Sequence, residues 1–107
     1  MTPDDVRQTI MELVSQQRQG PDAHYTAEVK AEQAEADAAK AFDMAFMSAT
    51  GNIEERKAQA RLQTEDAHTE AFIARAEHNR VKLKIRQIDN SLVAYQAVLK
   101  SMLVDGA

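Results

Sequence analysis

Residues 53–104 contain no Gly and no Pro, and they carry one heptad register from end to end. The seam reads Ile53, Lys57, Ala60, Thr64, Ala67, Ala71, Ala74, His78, Val81, Ile85, Ile88, Leu92, Tyr95, Leu99 and Met102. Only Lys57, Thr64 and His78 interrupt its apolar character. An alternation of four and three sustained this far predicts a long helix with one face built for another helix. At 1.5 Å per residue it would run for roughly 75–80 Å, too long for a chain of 107 residues to bury by folding around it. The expected architecture is all-α: an antiparallel helical hairpin, built as an alanine-rich coiled coil with a short N-terminal helix, that oligomerises.

The preceding residues supply the other arm. Within one small domain, 1–107, the punctuation predicts helices over 2–19, 22–49 and 52–104. Thr2 suits an N-cap, Pro3 the first helical position, and Asp4 and Asp5 the positive helix end. Val6, Ile10, Leu13 and Val14 line one face before Gly20-Pro21, which reads as a stop. The second helix has a seam of alanine: Ala27, Ala31, Ala34, Ala38, Ala41 and Ala45. Small seam residues let helix axes approach closely, and the facing stretch also offers Ala60, Ala67, Ala71 and Ala74. Gly51 permits a tight turn, and Asn52 followed by Glu55 reads as a capping-box variant. A turn this short makes the arms antiparallel neighbours. An unbroken long helix would then place Glu35 opposite His68 and Glu28 opposite Arg75.

Absent chemistry narrows the function. There is no Cys, so no disulfide framework, thiol nucleophile or Cys-ligated metal is expected. No apolar run is long enough for a transmembrane helix, and the acidic N-terminus lacks a signal-peptide pattern. A cytoplasmic location is the expectation. Glu65 and His68 share the Glu-x-x-His spacing of carboxylate-bridged metal bundles, but such sites need a second copy of the motif. His78 reads better as a polar registry residue in the seam than as a ligand. With no nucleophile elbow and no Gly-rich phosphate loop, the chain reads as a non-enzyme with no cofactor and no metal.

Charge is where function shows. The net charge of −4 hides an acidic first half and a more basic second half. Arg75, Arg80, Lys82, Lys84 and Arg86 lie close together with Glu77 as the one intervening acid. Two readings compete. These residues are solvated flanks that pair with a neighbouring subunit, or they form a phosphate-binding collar. Arg56, Lys57 and Arg61, near the turn, form a second basic patch. From Val81 onward the apolar residues exceed one seam, which assigns Val81, Ile85, Ile88, Leu92, Tyr95, Leu99 and Met102 to an oligomer interface.

The run at 80–103, RVKLKIRQIDNSLVAYQAVLKSML, follows an Ala/Glu-rich helix and a Thr-Gly-Asn turn. In this it resembles small helical proteins from recombination regions of phages and prophages. Its architecture is also similar to UvsY-type recombination mediators of T-even phages. That resemblance implies a homo-oligomer that binds single-stranded DNA without sequence preference and works with a recombinase or annealing protein. The residues it points to are Arg75, Arg80, Lys82, Lys84 and Arg86, with Arg56, Lys57 and Arg61 second. The rival reading is a structural or inhibitory protein-interaction module, such as a phage assembly factor or host-enzyme inhibitor, without nucleic-acid binding. The secreted W-x-G helical hairpins share length and shape, but this chain has no Trp.

Overall fold

The computed structural model describes residues 1–105. They form three helices: α1 (Pro3–Ser48), α2 (Ile53–Gln63) and α3 (Glu65–Asp105). Among the described residues there is no strand. Contacts gather in two compact units. The first comprises Met1–His24 with the described part of Arg80–Ala107, and the second comprises Tyr25–Asn79. In each, α1 packs antiparallel to α3, as the hairpin expectation requires.

The caps are local and explicit. Thr2 and Asp5 exchange hydrogen bonds: the Asp5 amide donates to Thr2 Oγ1 at 3.2 Å, and the Thr2 amide donates to Asp5 Oδ2 at 2.9 Å. The Thr2 amide, and secondarily the Thr2 side chain, hold the Asp5 carboxyl below its usual range. The turn between α1 and α2 places Gly51 at φ 107°, the left-handed region that favours glycine. Asn52 then caps α2 by accepting from the Glu55 amide at 2.9 Å and donating to Glu55 Oε1 at 2.8 Å. The end of α1 is closed from across the turn, where Arg56 donates through Nε and Nη2 to the Phe46 carbonyl at 3.3 and 3.1 Å.

The expected stop at Gly20-Pro21 does not occur. Pro21 lies inside α1, and the predicted helices 2–19 and 22–49 are one helix. Pro removes one backbone donor and crowds the preceding turn, yet α1 continues through it. Gly20 serves close approach. It is buried, and a Cβ there would lie 3.3 Å from Ile85 Cγ1. In the same unit Gln17 Nε2 donates to Asp89 Oδ1 at 2.9 Å. Val6 is fully buried and Leu92 nearly so.

The opposite correction applies to the long helix, which is broken at Thr64. That residue is buried, with φ −111° and ψ 16°. Its Oγ1 donates to the Ala60 carbonyl at 2.7 Å, beside its own amide at 3.1 Å. A Thr hydroxyl that bonds back one turn competes with the ladder and bends a helix. Beyond the break the register departs from the turn-based count. Arg75 pairs with Glu35 and His68 meets Phe42, each one heptad from the counted partner, while Glu28 still bears on Arg75 through its charge.

The two units fill their interiors differently. In the second, the buried apolar side chains are Ala31, Ala38, Ala60, Ala71 and Ala74, accompanied by Thr64 and His78. In the first, larger aliphatic residues of α3 do the packing.

The Gly20-Pro21 pair yields opposed expectations for its two positions. Pro21→Ala restores a helix donor at an exposed site and should stabilise by about 1–2 kcal/mol, after allowing for the looser unfolded chain. Gly20→Leu overpacks against Ile85 and should destabilise by about 1–3 kcal/mol. Urea titrations followed by circular dichroism check both; equal midpoints for the two variants would contradict this account of the segment.

Candidate nucleic-acid interface

The basic residues expected to act together fall into two groups. Arg75 belongs to the second unit and is committed there. Its Nε donates to Glu35 Oε2 at 3.0 Å, and its Nη2 donates to Glu35 Oε1 to complete a two-pronged pair. Planar guanidinium and carboxylate fit one another this way, with directional specificity as well as charge. The remaining amino group, Nη1, donates to His78 Nδ1 at 2.9 Å. Accepting that bond requires His78 Nδ1 to be unprotonated. The Arg75 hydrogen bond, and then its charge, hold the Glu35 carboxyl below its usual range. Reciprocally, Arg75 is raised by Glu35, with smaller support from Glu32 and Glu28.

Lys82, Lys84 and Arg86 belong to the first unit. All are exposed on α3, and none makes an ion pair among the described residues. Helical spacing places Lys82 and Arg86 on one flank and Lys84 on the other. Lys84 and Arg80 line a cleft of about 210 Å³ with Gln16 and Gln19 of α1, over Val81, Ile85 and Ile88. Gln16 and Gln19 carry no signal in the sequence, because their place depends on α1 running through Gly20-Pro21.

The patch near the turn is also partly occupied. Arg56 caps α1 and stacks 4.3 Å over the Phe46 ring. Lys57 sits 3.7 Å from Glu54. Arg61 is exposed beside a hollow of about 540 Å³ lined by Phe42, Glu65, His68, Thr69 and Phe72. Glu65 and His68 therefore share a surface, but His68 Nδ1 donates to the Thr64 carbonyl at 2.8 Å.

The residues assigned from sequence to an oligomer interface line the first unit's own seam. Leu92 is buried, and Val81, Ile85, Ile88, Tyr95, Leu99 and Met102 are half-buried. The exposed large apolar residues of this part of α3 are others: Leu83, Val93, Val98, Leu103 and Val104. Among the described residues no helix is long and apolar enough to cross a membrane.

Comparison with protein-family models, curated proteins and solved structures finds no match.

The Arg75–Glu35 pair sets an acid dependence. Because the folded-state Glu35 carboxyl is depressed, its contribution is fully present above the ordinary glutamate value of about 4.3. It is lost as pH falls through the lower folded value. Glu35→Gln should therefore be less stable than the parent at neutral pH, with the difference closing in acid. Thermal melts at neutral and acidic pH check this; a difference that stayed constant would detach the pair from stability.

Proposed function

We propose that this chain binds single-stranded DNA without sequence preference, as a homo-oligomeric accessory protein of recombination. The observation that carries the reading is the set Lys82, Lys84 and Arg86, exposed on one stretch of α3 and without acidic partners among the described residues. Arg75 contributes less than its position in the sequence suggests, since Glu35 neutralises it. Lys84, with the amides of Gln16 and Gln19 beside it, offers donors to a phosphate backbone, the contact type that positions a strand without reading its bases.

Aromatic platforms are scarce near these cations, Tyr95 being half-buried in the seam. Stacking therefore contributes little, and phosphate contacts with counterion release supply the affinity. The rival reading, a protein-interaction module without nucleic-acid binding, draws on the exposed Leu83, Val93 and Val98.

The measurement is fluorescence anisotropy of a labelled oligonucleotide across a salt series. Neutralising about three phosphates gives a slope of about −2 in log K against log salt. Changing Lys82, Lys84 and Arg86 to Ala should lower affinity by roughly tenfold or more and flatten that slope, with helicity unchanged. Absence of binding at low salt would leave the interaction-module reading in its place. Binding that the triple variant retained in full would move the site to Arg61 and its neighbours.

A further inference from the structure

Two adjoining hollows of about 550 and 580 Å³ lie along the second unit and share Lys30, Ala34 and Glu70. Together they make one groove between α1 and α3. Its floor is small, with Ala34, Ala67 and Ala74, so a third helix can approach closely. Tyr25, Val29 and Ile73 also line it, at 69%, 44% and 60% exposure. The rim is acidic: Asp37, Glu70 and Glu77 stand against one base, Lys30. An occupant that fits is a helix with a small apolar face and cations beside it.

The chain carries an uncharged face with cations beside it on its first unit. Leu83, Gln87, Asn90, Ala94, Ala97 and Ser101 repeat in four-three alternation on α3, and all are exposed and uncharged. This is a second heptad row, on the side of the helix opposite the seam that holds Leu92. Along one edge of it run Lys82, Arg86 and Lys100, spaced to share a flank. The acid in that flank, Asp89, is engaged by Gln17 at 2.9 Å.

We infer that this outward face of α3 docks into the acidic-rimmed groove of a second copy of the chain. Its flanking cations then lie against the rim carboxylates. The two surfaces differ, so the contact is head-to-tail and propagates into a closed ring or an open chain. Lys84, on the opposite flank, stays clear of the contact and is available to a strand in the assembled chain, whereas Lys82 and Arg86 reach phosphate only where no neighbour covers them. The inference rests on the homo-oligomer part of the reading above, while DNA binding is measured separately.

The experiment is light scattering on the full chain at micromolar concentration, without DNA. The parent should exceed the monomer mass and lose mass as salt rises, since exposed charges are screened. Asp37→Lys with Glu70→Lys reverses the groove, and Lys82→Glu with Arg86→Glu reverses the helix flank. Each double variant alone should be monomeric with unchanged helicity, and an equimolar mixture should regain mass. A monomeric parent at low salt overturns the inference. So do double variants that keep the parental mass, or a mixture that stays monomeric. For a variant that loses helicity, the matching change to Gln at the same positions takes its place and should lower the mass. Oligonucleotide binding by the groove variant, which leaves Lys82, Lys84 and Arg86 intact, distinguishes failure of the assembly from failure of the DNA reading.

Discussion

The buried apolar side chains of the second unit are alanine: Ala31 and Ala38 from α1, Ala60 from α2, Ala71 and Ala74 from α3. A methyl group removes little area from water, and each buried CH₂-sized group contributes about 0.8 kcal/mol. Such an interior holds only if the helix backbones come close enough for dispersion contacts along their length. Close approach leaves no room for a large side chain between the helices. Phe72, Ile73 and Tyr25 consequently point outward, at 75%, 60% and 69% exposure. The first unit is built differently. There the α3 seam carries Ile and Leu, and Gly20 supplies the close approach at one point.

An alanine seam has a weakness that the polar residues repair. Slipping one arm by a heptad exchanges one alanine for another at nearly equal energy, so the seam fixes the face and not the register. Groups that occur once must choose it. Arg75 pairs two-pronged with Glu35 and also reaches His78, which is buried within the seam. Thr64, likewise buried, satisfies its hydroxyl within its own helix. The three seam positions that depart from apolar character include these two buried ones, and both sit where a uniform seam would leave alignment undetermined. Buried polar residues that specify register at some cost in stability are familiar from coiled coils.

This explains what could be read from the residues and what could not. Periodicity marks which face of each helix turns inward, so the alanine seam and the helical hairpin were legible. The caps at Thr2 and Asn52 were legible because they depend on residues within one turn. Gly20-Pro21 misled because local propensity argues for a stop, while Ile85, far away in sequence, supplies the reason for a buried glycine. Thr64 misled in the other direction, since a single β-branched residue inside a seamless heptad carries no strong signal of a break. The turn-based count also missed the pairing of Arg75 with Glu35. The candidate site inherited the error. Arg75 looked like part of one basic cluster with Lys82 and Arg86, and only the register shows it neutralised.

Segregated charge acquires a different meaning once the register is known. Were the acidic and basic halves fully paired within the chain, both surfaces would be spent. Arg75 pairs with Glu35, while Asp37 and Glu70 line one groove and Lys82, Lys84 and Arg86 are exposed on one stretch of α3. Opposite charges left over on separate surfaces of one chain favour association with something else. Phosphate can satisfy the cations alone, whereas a second copy satisfies cations and carboxylates together. A second copy docked as proposed would also cover Tyr25, Val29 and Ile73, which are exposed because an alanine interior has no space to admit them. Salt would weaken both proposed contacts, but apolar coverage persists when charge is screened.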